Sequence, residues 1–181
     1  MFYVAVIIIC NVVIIMGNAL FQWERLWYFA FCSVFGTVAV IAIDGVTAFL
    51  VRSLPEKYFA PGNKIFFVSE RERKFYRKNG IKEWKKYVPE LGGFTGFHKD
   101  KLGDPRDKKY LARFLVESNY GVIIHIINAL FGFLILLLPF SSRLSIGIPV
   151  ATVNFVLSLL PTALLRFNTP PLLRLYERAA K

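Results

Sequence analysis

Cysteine is scarce in this chain, and so is acid. The two cysteines among 181 residues, Cys10 and Cys32, both fall inside apolar runs. With no cysteine pair in a polar segment there is neither a disulfide framework nor a zinc-ligand spacing, and both read as packing residues. Twelve Asp and Glu stand against 23 Lys and Arg, a formal charge of +11. The sequence has no G-x-S-x-G, no P-loop and no G-x-G-x-x-G, so hydrolases, nucleotide triphosphatases and dinucleotide enzymes lose support. It also has no internal repeat and no low-complexity tract.

What it has in quantity is hydrocarbon. Hydrophobic residues make up 55% and the mean hydropathy is +0.48, too apolar for an ordinary soluble domain. The apolar residues gather into four runs: Phe2–Met16, Leu26–Val51, Tyr120–Phe140 and Ser145–Leu165. A helix of about 20 residues crosses the ~30 Å core of a bilayer. The expectation is an all-α polytopic membrane protein with four transmembrane helices and a basic helical insert between helices 2 and 3. Residues 1–51 would hold helices 1 and 2, 52–118 the insert, 119–165 helices 3 and 4, and 166–181 a tail. The first run lacks a basic leading segment and a small-residue cleavage site, so it reads as a retained helix.

Most of the Lys and Arg lie between Arg52 and Arg113, and four more follow the last run. The positive-inside rule then puts insert, tail and both termini on the cytoplasmic side of the cell membrane. Cations beside membrane helices find anionic lipid headgroups as their nearest counter-charge, and nucleic acid is not expected as a partner. Trp23, Trp27 and Tyr28 flank the first turn as an interfacial aromatic belt.

Within the insert, Ser69-x-x-Glu72 is a capping box opening a helix through about Lys78, with Asn79-Gly80 as its stop. A second short helix puts Ile81, Trp84 and Val88 on one face and Lys82, Glu83, Lys85 and Lys86 elsewhere. Such a helix suits either the headgroup plane or packing on its neighbours. Pro89 and Gly92-Gly93 end that unit. Asp104-Pro105 reads as an N-cap and first helical position, with Asp107 beyond it. From there a helix can run into the third span, projecting from the bilayer or bending near Ser118-Asn119.

Polar groups inside oil are costly, and ionisable ones are functional candidates by default. Asp44, His125, Asn128 and Asn154 lie within apolar runs. Asp44 and His125 sit roughly 12 Å below the cytoplasmic border at ~1.5 Å per residue. His125 and Asn128, at i and i+3, share a helix face. The chemical reading makes His125 a general base, oriented by a carboxylate, acting on a hydroxyl from the lipid phase. The plainer reading is interhelical hydrogen bonding, for which Asn and His are common membrane glue. Glu117 at the interface reads equally as a solvated helix end. His98-x-Asp100 is a weak signal, because the glycerolipid acyltransferase pattern of His followed by Asp five positions on meets Gly103 instead. No metal site is expected.

Pro55-Glu56-Lys57-Tyr58-Phe59, the run ERERKFY at 70–76, IKEWKKYVPE at 81–90, Glu117 with His125 downstream, and Arg166-Phe167-Asn168-Thr169-Pro170 go together. In this combination the chain resembles the glycosyl-diaponeurosporenoate acyltransferase family, small bacterial membrane proteins of staphyloxanthin-type carotenoid synthesis. The resemblance covers most of residues 52–175. It implies transfer of a long fatty acyl group to a sugar hydroxyl of a membrane glycolipid. It also implies roles for Glu70, Lys74, Trp84, Lys85, Glu117, His125, Arg166 and Asn168; Asp44 matches nothing in it. Glu70 or Glu117 would then orient the base in place of Asp44. Acyl-CoA or an acyl carrier protein is the expected donor, met by the basic insert or by Arg166, and no bound cofactor is expected. Two other readings stay open: a non-enzymatic scaffold or lipid-binding subunit of a larger synthase, and a small transporter.

Overall fold

A computed structural model describes residues 2–88, 103–139 and 142–179, without the side chains of Phe2 and Arg143. His98, Asp100, Pro89 and Gly92-Gly93 lie outside the described residues. Among those described, every regular element is helical. The helices are α1 (Phe2–Ala19), α2 (Leu26–Arg52), α3 (Glu70–Lys78), α4 (Ile81–Trp84), α5 (Lys108–Phe131) and α6 (Ile148–Arg178).

Three segments are long and apolar enough to cross a membrane: Trp23–Arg52, Lys108–Leu137 and Leu144–Arg178. Helix α1 is as apolar but shorter, 18 residues or about 27 Å. Large apolar side chains on these helices stay exposed, Val13 at 65% and Phe49 at 75% among them, as a lipid-facing surface requires. Trp23 and Trp27 are exposed as well.

The chain divides into two compact units, one of residues 1–50 and 124–159, the other of 51–123 and 160–181. In the first unit, Phe29, Cys32, Val40, Ile135, Ile146, Val150 and Ala151 form the buried core, so Cys32 packs as the sequence suggested. Asn11 of α1 accepts from Ser33 Oγ at 2.7 Å and Thr37 Oγ1 at 3.1 Å on α2. Its own Nδ2 donates to the Ile7 carbonyl at 2.9 Å, so the amide is satisfied inside the hydrocarbon. Helix α6 carries Pro161, which cannot donate to the carbonyl of Leu157 four residues back. Tyr3 Oη donates to that carbonyl instead, at 3.2 Å.

In the second unit, α3 begins and ends where the capping box and Asn79-Gly80 place it. Ser69 Oγ accepts from the Glu72 amide at 3.1 Å, and Gly80 takes the left-handed φ of 67° that ends the helix. Ser69→Ala should therefore cost about 1 kcal/mol, readable as a lowered unfolding midpoint of the detergent-solubilised protein. Helix α4 buries Ile81 and leaves Lys82 and Glu83 exposed, as are Lys85 and Lys86 just beyond it.

One expectation needs correction. Asp104-Pro105 forms a turn rather than the cap, with Asp104 Oδ1 accepting from the Arg106 amide at 2.8 Å. The cap is Asp107, whose Oδ1 takes the amides of Lys109 at 2.8 Å and Tyr110 at 3.1 Å. Of the two courses left open for the helix before the third span, projection or a bend, α5 takes the unbent one and runs unbroken through Ser118-Asn119. Ser118 Oγ donates to the Phe114 carbonyl of its own helix at 2.8 Å, and Asn119 faces the insert, so neither opens the helical ladder.

Candidate functional site

In the first unit the side chains of Asp44 and Asn154 meet, and that of Asn154 also meets the backbone of Asn128. Asn154 of α6 donates Nδ2 to the Asn128 carbonyl of α5 at 3.0 Å, and Asp44 Oδ1 of α2 lies 3.5 Å from the same nitrogen. Three helices are thus joined through one amide. His125 is half-buried, one turn before Asn128 on the same face of α5. Helix α5 tightens to 3-10 geometry at Gly132–Leu137, and the tightening starts where Asn154 arrives. A Cβ on Gly132 would stand 2.5 Å from Asn154 Nδ2. Gly132→Ala must therefore push the Asn154 amide aside, with an expected loss of about 1–3 kcal/mol; Asn154→Ala in the same background should relieve most of it.

The second unit holds a separate set of charged contacts. Arg166 of α6 grips Glu72 of α3 with both Nε, at 2.5 Å, and Nη2, at 2.8 Å. Nη2 also reaches the Phe67 carbonyl at 3.2 Å. Tyr76 Oη donates to Glu72 Oε1 at 2.7 Å from one turn further along α3. The Arg166 guanidinium holds the Glu72 carboxyl below its ordinary range, against the opposing effect of burial. Burial and the neighbouring Glu72 push the Tyr76 hydroxyl up to about 12, so it stays protonated and donating. A fork-to-fork pair of this kind is stronger than a neutral hydrogen bond and fixes geometry as well.

Glu70, to which the resemblance gave a role, does not join this set. Glu70 is 71% exposed and only 4.0 Å from Arg73 on its own helix. Lys74 and Lys85 are exposed, and Trp84 Nε1 donates to the Asn79 carbonyl at 2.9 Å, which ties α4 to the end of α3. Asn168 is half-buried on α6. Glu117 meets Arg52 at 3.0 Å, and that guanidinium also lies 5.6 Å over the Tyr120 ring. Tyr120 stacks on Phe59, centroids 3.7 Å apart, and donates Oη to the Leu54 carbonyl at 2.8 Å. Asn119 Nδ2 donates to the Phe59 carbonyl at 2.9 Å. The segment after α2 is thus pinned to α5 by an aromatic stack, an ion pair and two side-chain bonds to backbone carbonyls.

The sequence profile of the glycosyl-4,4'-diaponeurosporenoate acyltransferase family matches residues 55–178. The chain belongs to that family. For this acyltransferase family member, the matched span takes in α3 through α6. It therefore includes Glu72, Tyr76, Glu117, Asn119, His125, Asn128, Asn154 and Arg166, and leaves out Asn11, Asp44 and Arg52. No curated protein and no solved structure matches the chain.

Several of these residues were not singled out from the sequence. Asn11 carries the same signal as Asn128 and Asn154, an amide within an apolar run. Glu72 was legible as the glutamate of the capping box and as part of the run ERERKFY, not as a partner of Arg166. Tyr76 stood only as the last residue of the run ERERKFY, Arg52 and Tyr120 only as the bounds of basic and apolar segments, and Asn119 only where a helix would project or bend.

Proposed function

We propose that this protein is a membrane acyltransferase that moves a long fatty acyl group from a thioester donor to a hydroxyl of a membrane glycolipid, such as a glycosylated carotenoid. Membership of the acyltransferase family carries this reading. His125, in an otherwise apolar stretch of α5, takes the proton of the acceptor hydroxyl as its oxygen attacks the thioester carbonyl. The C–S bond then breaks and the released thiolate takes up a proton, so acyl group and charge balance. The Asp44–Asn154–Asn128 contact joins α2, α5 and α6 one turn along α5 from that ring, and in this reading Asn128 orients the acceptor.

The donor is acyl-CoA or an acyl carrier protein. Its phosphates or acidic surface meet exposed cations such as Lys74 and Lys85. Arg166 supports this reading less directly than the sequence suggested, because Nε and Nη2 are committed to Glu72 and Phe67. The basic segment lies on the cytoplasmic face, where such donors are made, and anionic headgroups anchor it.

The test is reconstitution of the purified chain in proteoliposomes with labelled acyl-CoA or acyl carrier protein and a glycosylated carotenoid. Label should pass to the glycolipid. No transfer from either donor, together with co-purification of a stoichiometric synthase subunit that restores it, would replace the enzyme by a scaffold.

A further inference from the structure

The second unit contains a cavity of about 290 Å³, between the Pro61–Phe67 segment, α5 and α6. At about 30 Å³ per water, that is space for several molecules rather than one trapped solvent. Its walls are chiefly apolar, with Phe66, Leu115 and Leu173 prominent. The polar groups there are largely spent. Asn63 Oδ1 accepts from the Ile65 amide and its Nδ2 donates to the Tyr58 carbonyl. Thr169 Oγ1 donates to the Leu165 carbonyl at 2.9 Å, which leaves it only acceptor capacity.

Asn119 differs. It lines the cavity and is 2% exposed, and its Oδ1 has no hydrogen-bond partner among the described residues. The bond from Nδ2 to the Phe59 carbonyl fixes the orientation of the amide, so this oxygen cannot become a donor by flipping. A buried carbonyl oxygen with no partner is uncommon in native proteins and asks for one. Lys64, exposed on the same cavity's lining, is the cation of the set.

We infer that this cavity is a ligand subsite in which Asn119 Oδ1 accepts a hydrogen bond from an N–H or O–H group on a largely apolar ligand, with Lys64 meeting an oxygen or phosphate at the other end. The assignment of that ligand rests on the acyl-transfer reading, which offers two sources of the same chemistry. One is the pantetheine arm of the acyl donor, whose amides donate and whose phosphate is anionic. The other is a hydroxyl of the glycolipid acceptor.

Three probes separate these sources, each added to the full chain in nanodiscs with the unfolding midpoint as readout. They are S-decanoyl-pantetheine phosphate, decyl glucoside below its micellar concentration, and decane. The expected result is a rise of about 5 °C or more with one of the first two and none with decane. The pantetheine compound acting would assign the subsite to the donor, and the glucoside acting would assign it to the acceptor. Asn119→Leu should abolish the rise. Leu173→Trp, which fills the cavity and keeps the Asn119–Phe59 bond, should abolish it too and serves if the first variant does not fold. Decane matching the polar probes, no probe acting, or Leu173→Trp retaining the full rise would each overturn the proposal. The readout needs no turnover. A preparation that transfers acyl groups with no such rise loses the subsite alone, and one that binds without transfer loses the reaction alone.

Discussion

A His125→Ala variant should lose about 10²- to 10⁴-fold in acyl transfer while keeping its fold, the usual contribution of a positioned general base. The expectation rests on where the imidazole stands. It is half-buried in an apolar stretch, one turn from an asparagine that α6 holds in place. An ionisable ring there is costly and demands a reason. A packing role and a chemical role predict different losses. If His125 were only interhelical glue, His125→Asn would restore most of the activity and the alanine variant would mainly lower the unfolding midpoint. As a base it must be unprotonated to act. The wild-type rate should then fall at acid pH, with a dependence absent from the residual rate of the variant. A variant with wild-type transfer and an unchanged pH profile would remove the assignment.

The second large effect is on stability. Arg166→Leu strands the Glu72 carboxylate, only 25% exposed, against the Tyr76 hydroxyl, and should cost about 2–3 kcal/mol. Much of that is the penalty of an unpaired charge rather than the worth of the pair. The double variant Glu72→Gln with Arg166→Leu should accordingly recover a substantial part of the loss. The same pair gives a pH signature. The Glu72 carboxyl is held below its ordinary value of 4.5, so folding gains from its ionised form. That gain is complete above about pH 4.5. It fades as pH drops through the depressed native value and is absent below it. Unfolding midpoints measured from pH 7 downward should show this component in the wild type and lack it in Glu72→Gln. Identical acid profiles for the two proteins would mean that the carboxylate does not stabilise the fold.

The choice of Glu72 over Glu70 shows where sequence reasoning stops. Both lie in the first turn of α3, two residues and so about 200° apart around the helix axis. Only one of them can face Arg166. The sequence reading gave Glu70 a role through the resemblance and Glu72 only a cap, because which acid meets Arg166 depends on the rotation of α3 against α6. The capping box was visible, yet its glutamate turns to Arg166 and Tyr76. Asn119 is a similar case. As a polar residue near the end of an apolar run it marked only where a helix would project or bend, whereas its amide reaches a carbonyl sixty residues away.

Composition, hydropathy and local chemistry were enough to determine the helical class, the apolar runs that become the long helices and the limits of α3, because each is written in contiguous residues. Four spans were read where three segments are long and apolar enough to cross a membrane, and the family came from several motifs taken together. A run of apolar side chains needs no partner to be recognised, and Ser69 caps its own helix. Long-range pairing was decided only by the tertiary structure: Asp44 with Asn154, Arg166 with Glu72, Arg52 with Glu117, and the cavity at Asn119. A hydrogen bond is directional and short in range, so which side chains meet depends on helix rotations and offsets that a linear pattern does not carry.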